Sequence, residues 1–283
     1  MKYGFHLSSL PDHEWSMIGP PLLAMGYCQV TARLAAYWLD GDGRLLDTMK
    51  ERLTRLRTMG IELAIDADSR FLADPWNGSV PRLARGEENE RREAILMRLV
   101  NFGASVDCRL LTFSVGDAET AEELEQSLKR IAASVGRLMA SASDSGVSLG
   151  IKPELGSVVE TSSHFRRLLE WLPTNMAAHR TLGWAPDIAL MAQRGELPIT
   201  DRLARDIDRM VCVYLSDISA SEVNDVKAGE RPFGRGDLAV GRIAKSLEEL
   251  GFCGPLILRC EGHDALGLEI ARGAIELTKG KSR

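Results

Sequence analysis

Leu124–Glu154, LEQSLKRIAASVGRLMASASDSGVSLGIKPE, contains one complete helix-to-strand unit, and the rest of the chain reads as variations on it. Leu124, Leu128, Ile131, Val135 and Leu138 recur every three or four residues, the spacing of a helix with one buried face. Thr120 and Glu123 just ahead of it form a capping-box pattern. Gly146 supplies the residue that accepts positive φ at a helix end, and Val147–Ile151 is a short apolar run of strand type. Lys152 and Glu154 follow at once, so charge stands where a buried strand stops.

The same alternation runs outward to both ends. Strand-like runs fall at Tyr3–Leu7, Tyr27–Thr31, Ile61–Ile65, Leu110–Ser114, Val147–Ile151, Thr181–Trp184, Cys212–Leu215 and Pro255–Leu258, eight in all. Leu46, Met49, Leu53 and Leu56 mark a helix closed by Gly60. Further helices are expected at Glu88–Phe102, Ser162–Leu172 with Pro173 to end it, Asp201–Met210, Leu238–Leu250 and Asp264–Leu277. Parallel strands need helical crossovers, so this pattern in 283 residues predicts an α/β protein, a single (β/α)8 TIM barrel over residues 1–283. A doubly wound open sheet is the alternative. Two loops are long, Asp68–Gly86 with Trp76 after the third strand and Ser219–Gly236 after the seventh. Each either covers a ligand at the catalytic face or is a surface insertion.

Composition narrows the function classes. Forty acidic residues against 35 basic ones give a net charge of -5, without the basic face that phosphate neutralisation demands, which argues against nucleic acid and anionic membranes. No apolar run reaches the roughly 18 residues of a membrane span, and the opening MKYGFHLSSL lacks a leader pattern. Five cysteines form no CxxC pair and read as thiols of a reducing cytoplasm.

In a barrel of this kind chemistry gathers at the C-terminal ends of strands. Polar residues there are His6 and Ser8, Thr31 and Arg33, Asp66 and Asp68, Thr112 and Ser114, Lys152 and Glu154, Asp187, Tyr214 and Asp217, Arg259 and Glu261. Buried charge is costly unless paired, so each is either an ion-pair partner or a functional group. Arg231 and Lys227 in the long seventh loop are candidate contacts for an anionic substrate. Trp184 and Trp76 are candidates for stacking on a sugar face or for core packing. FGRGD at Phe233–Asp237 is either a tight turn or a phosphate cradle.

GVSLGIKPE at Gly146–Glu154, GWAPD at Gly183–Asp187, VYLSD at Val213–Asp217, FGRGD at Phe233–Asp237 and GFCGPLILRCE at Gly251–Glu261 follow one another in a familiar order. In these segments the chain resembles the xylose isomerase-like TIM barrels, which include sugar and sugar-phosphate isomerases and epimerases, inosose dehydratases and barrel-type AP endonucleases. The resemblance implies carbohydrate metabolism and a divalent metal (Mn, Zn, Co or Mg) held by Glu, Asp, His and Glu at the ends of strands five to eight. The matching positions here are Lys152, Asp187, Tyr214 and Arg259, and only the Asp survives. An ammonium and a guanidinium offer a cation no lone pair, so no metal cofactor is expected. A carboxylate cluster one layer higher, Glu154, Asp187 and Glu261, is the alternative metal site, since alternate strand residues share a face about 6.6 Å apart.

The expected activity is that of a sugar isomerase or epimerase acting, without metal, on a polyhydroxylated and anionic carbonyl substrate such as a sugar acid or sugar phosphate. Lys152, Asp187 and Glu154 are the catalytic candidates; His6, Tyr214, Arg259, Glu261, Arg231 and Trp184 are the substrate-binding candidates. Lys152 and Arg259 about Asp187 would leave one excess positive charge for an anion or a developing enediolate. The alternative is a ligand-binding barrel that has lost catalysis. DNA repair is disfavoured by the acidity and by His164 and His179 lying near the crossover after strand five. A small-molecule partner is expected, and a homodimer is allowed for.

Overall fold

The computed structural model describes residues 1–10, 13–34, 44–67, 82–117, 124–172, 181–196, 198–219, 230–260 and 267–280. The chain divides into two compact units, one of Met1–Ala32, Arg55–Leu63 and Ala185–Arg283, the other of Arg33–Thr54 and Ala64–Trp184.

Strands β1 (Lys2–His6), β2 (Gln29–Arg33), β3 (Glu62–Ala67), β4 (Cys108–Phe113), β5 (Ser148–Ile151), β6 (Leu182–Trp184), β7 (Val213–Leu215) and β8 (Pro255–Leu258) match all eight expected runs to within a few residues. In the first unit the order is β2-β1-β8-β7 and in the second β3-β4-β5-β6. The pairing of β8 with β1, with Gly4 opposite Ile257 and Phe5 opposite Leu258, joins the ends of the chain in parallel. A (β/α)8 barrel requires that junction and a doubly wound sheet lacks it, so the fold is of the TIM-barrel class. β3 runs through both units: Glu62 N donates to Cys28 O at 2.8 Å in the first, and Asp66 O accepts from Leu34 N at 3.0 Å in the second.

The helices are α1 (Trp15–Met25), α2 (Arg44–Thr58), α3 (Gly86–Ser105), α4 (Leu124–Ser145), α5 (Ser162–Glu170), α6 (Ile188–Gln193), α7 (Ile199–Asp206), α8 (Val240–Glu249) and α9 (Leu268–Thr278). Gly60 and Gly146 end α2 and α4 with φ of 89° and 67°, as their positions implied. Thr120, Glu123 and Pro173 lie outside the described residues. Thr161 caps α5 by accepting from His164 N. Two helices have no counterpart in the sequence reading. α1 contains Pro20 and Pro21, each of which costs a helix interior a backbone donor, yet it buries Ile18 and Leu22. α6 is six residues long, too short for a periodic signal, and is started by Asp187 as its cap.

Each unit buries the helix-facing side of its strands. In the first, Phe5 meets Tyr27 edge-on at 5.4 Å, and the Tyr27 hydroxyl donates to Ala271 O on α9 at 2.7 Å. In the second, Trp184 stacks on Phe165 of α5 at 5.0 Å and is 1% exposed.

Candidate active site

In the first unit, strand register builds one layer of polar side chains. His6 pairs with Thr31, and Gly4 lies level with Gln29 and Ile257, which pairs with Tyr214. Carried on by two residues, the ladder sets Arg259 and Ser216 level with His6 and Thr31, and Arg259 N donates to Leu215 O at 3.0 Å. Side chains alternate along a strand, and Phe5 faces the helices, so His6, Thr31, Arg259 and Ser216 share the opposite face. The Thr31 and Ser216 hydroxyl oxygens are buried and have no hydrogen-bond partner among the described residues. The Ser8 hydroxyl lies 2.5 Å and the Ser8 amide 3.3 Å from His6 Nδ1. The His6 ring lies 6.1 Å from that of Tyr214.

Arg259 is shared between two carboxylates. Its Nη2 donates to Asp187 Oδ2 at 2.8 Å and its Nε to Glu230 Oε1 at 2.5 Å, while its guanidinium sits 5.7 Å from the Tyr214 ring centre. Asp187 Oδ1 accepts from Leu190 N at 3.2 Å as the cap of α6, so both its oxygens are engaged. This donor set does not fit a divalent cation. Where the family pattern has a Glu there is a guanidinium already bound to the Asp, and where it has a His there is a phenol. Among the described residues no three His, Cys, Asp or Glu side chains converge. Glu261, the third member of the alternative cluster, lies outside the described residues.

In the second unit Lys152, just past β5, reaches Asp66 at the end of β3, with Nζ 2.8 Å from Oδ1 and 2.5 Å from Oδ2. The two side chains are 9% and 0% exposed. Thr112 on β4 donates to Asp66 Oδ1 at 3.4 Å. Glu154 is half-buried two residues beyond Lys152, and its carbonyl accepts from Ser157 N.

The remaining candidates take other places. The excess positive charge inferred from Lys152, Asp187 and Arg259 disregards Asp66 and Glu230: one neutralises Lys152 and the other adds a second carboxylate to Arg259. Trp184 is core, its indole stacked on a helix phenylalanine rather than offered to a ligand. Arg231 donates its amide to Asp217 O at 2.7 Å. FGRGD is a turn, and its amides hold a side chain of the protein itself: Asp217 Oδ2 accepts from Gly234 N and Gly236 N, and Oδ1 from Leu238 N. Burial pushes the Asp217 carboxyl above its ordinary value, and the amides oppose that shift. Asp68, Trp76, His179 and Lys227 lie outside the described residues.

Residues 46–280 match the family model described as xylose isomerase-like TIM barrel. No curated protein matches the sequence. Among solved structures, D-psicose 3-epimerase with D-tagatose from Clostridium cellulolyticum H10 is similar at TM-score 0.71 and 13% identity, covering 99% of this chain and 98% of that one. 3-Keto-D-glucoside 4-epimerase from E. coli is similar at TM-score 0.74 and 13% identity, covering 99% of each chain. A xylose isomerase domain protein from Planctomyces limnophilus reaches 0.72 at 17% identity, over 99% of this chain and 96% of that one.

Proposed function

The chain belongs to the xylose isomerase-like TIM barrel family, and from that premise we propose that it is an isomerase- or epimerase-type sugar enzyme working without a resident divalent metal. The observation that carries this reading is the replacement of a metal donor set by Arg259, locked between Asp187 and Glu230, in a layer where the Thr31 and Ser216 hydroxyls have no partner among the described residues. Hydroxyls, an imidazole and a guanidinium suit a polyhydroxylated carbonyl compound. The sugar epimerases of similar fold support the substrate class.

The proposed reaction is proton transfer next to a carbonyl. Glu154 takes the proton from the carbon, and the electron pair moves into the carbon–carbon bond as the carbonyl becomes an enediolate. Lys152, paired with Asp66, donates to its oxygen, and return of a proton to carbon completes the change. A substrate carboxylate or phosphate would have to compete with Asp187 and Glu230 for Arg259, so matched neutral and acidic sugars form part of the test.

Untagged protein dialysed against EDTA would be assayed on a panel of ketoses, aldoses and their acids and phosphates. Turnover is expected to survive chelation and to be lost in Lys152→Met and Glu154→Gln. Activity abolished by EDTA, or about one Mn, Zn, Co or Mg per chain lost in Asp187→Ala, would refute metal independence. Sugar binding without turnover across the panel would refute catalysis and leave the ligand-binding barrel.

A further inference from the structure

The carboxylate of Asp217 is wholly buried, and its hydrogen-bond partners among the described residues are backbone amides. Gly234 N lies 2.9 Å and Gly236 N 3.0 Å from Oδ2, and Leu238 N 3.2 Å from Oδ1. The turn is shaped around this group. A side chain at Gly236 would drive its Cβ into Asp217 Oδ1 and to 2.6 Å from Ile218 O, closer than real contacts come, so position 236 must stay bare for the carboxylate to stand there. A buried carboxylate is costly unless several donors converge on it, and here three amides do so.

The same residue holds the beginning of the turn through its backbone. Asp217 and Arg231 form an isolated antiparallel bridge, with Arg231 N donating to Asp217 O at 2.7 Å. Arg231 O in turn accepts the Cys260 thiol at 3.5 Å, next to Arg259. Glu230, the neighbour of Arg231, takes the Arg259 Nε–H at 2.5 Å. Asp217 thus grips residues 231, 234, 236 and 238 at once, and Glu230 enters the site from the end of that gripped segment.

We propose that Asp217 is the positioning residue for Arg259: by closing the Phe233–Leu238 turn on its own carboxylate it sets Glu230 where it orients the guanidinium. Arg259 counts as substrate-facing on the reading given above, but the positioning itself does not depend on that reading. It also accounts for FGRGD, whose spaced glycines serve an internal anion and leave no cradle for a phosphate.

The test is NMR of protein labelled with 15N-arginine, which reads the Nε–H directly. The Arg259 signal is assigned by its disappearance in Arg259→Lys, and Glu230→Gln shows what its release looks like. The Arg137 Nε–H, paired with Glu93 at 2.6 Å in the other unit, is the internal control. Asp217→Asn replaces one acceptor oxygen by a donor, and Gly236→Ala crowds the carboxylate without removing it. In both, exchange of the Arg259 Nε–H with solvent is expected to quicken at least tenfold while Arg137 is unchanged and the far-ultraviolet circular dichroism stays native. Folded variants in which Arg259 remains as protected as in the wild type would overturn the proposal and leave Asp217 a turn-closing residue. Failure of both variants to fold would overturn it as well, because the role would then be in folding. A shifted Arg259 signal in a protein that turns over no sugar would uphold the positioning and sink the catalytic reading instead.

Discussion

The Lys152–Asp66 pair offers the sharpest quantitative test, because burial makes its two halves fail differently from its whole. Asp66 is fully buried and the Lys152 side chain is 9% exposed, with both carboxylate oxygens within 2.8 Å of the ammonium. Lys152→Met strands a carboxylate and Asp66→Leu strands an ammonium, and either loss is expected to cost about 3–5 kcal/mol. At roughly 2 °C per kcal/mol for a chain of this size, each single variant should melt roughly 6–10 °C lower. Asp66→Leu/Lys152→Met removes both charges and fills the space with apolar groups, so it should recover to within about 1 kcal/mol of wild type. Thermal denaturation of the four proteins followed by circular dichroism closes the cycle. Single variants within about 1 kcal/mol of wild type, or a double variant carrying the sum of both losses, would show that the pair is not a buried ion pair of this kind. The restored double variant also separates structure from chemistry: on the function proposed above it should be stable and inactive, and sugar turnover in it would remove Lys152 from the mechanism.

Arg259→Met leaves Asp187 and Glu230 without their shared cation, so it is expected to cost about 3–5 kcal/mol by urea unfolding; a loss below about 1 kcal/mol would contradict the shared pairing. Burial pushes the Cys108 thiol up to about 12. Cys108 should therefore resist iodoacetamide at pH 8 in the native protein, whereas exposed Cys253 reacts and its signal disappears in Cys253→Ser, as peptide mass mapping would show. The Arg137 hydrogen bonds hold the Glu93 carboxyl below its usual range, so that pair adds stability above the ordinary Glu pKa and loses it as the pH falls through the lowered one. With Arg137 57% exposed, Glu93→Gln should cost no more than about 0.5 kcal/mol at pH 7 by urea unfolding, and less as the pH is lowered through the acid range.

The strands were legible because each is an apolar run cut off by a charged or turn-forming residue, and a buried parallel strand needs nothing subtler. The long helices were legible for the same reason at the other period: Leu128, Ile131, Val135 and Leu138 are all buried in α4. α1 was hidden because Pro20 and Pro21 carry a local cost that tertiary burial of Ile18 and Leu22 outweighs, and such burial has no signature within the segment. Shifts of strand ends by two residues, as in Gln29–Arg33 against Tyr27–Thr31, did no harm to the site, since a shift of two keeps every side chain on its own face.

Partnership is what a strand-end list of polar residues lacks. Lys152 finds Asp66 across 86 residues and Arg259 finds Asp187 across 72, separations over which a linear pattern ranks no carboxylate above another. Charge counted from three residues therefore came out positive, and counting the partners removes the excess. One local signal was present all the same. An acid inside an apolar run, as in Ala64–Ala67 and Leu215–Ile218, has to find either a cation or a set of amides once the run is buried. For Asp66 the partner is a distant lysine, which sequence alone does not identify. For Asp217 it is the amides of a turn less than 25 residues on, and Gly234 and Gly236 are spaced as a backbone must be to close on an anion without side chains in the way. The glycine pair after a buried acid thus carries information about the acid, and reading the two together would have assigned FGRGD to Asp217 before any phosphate.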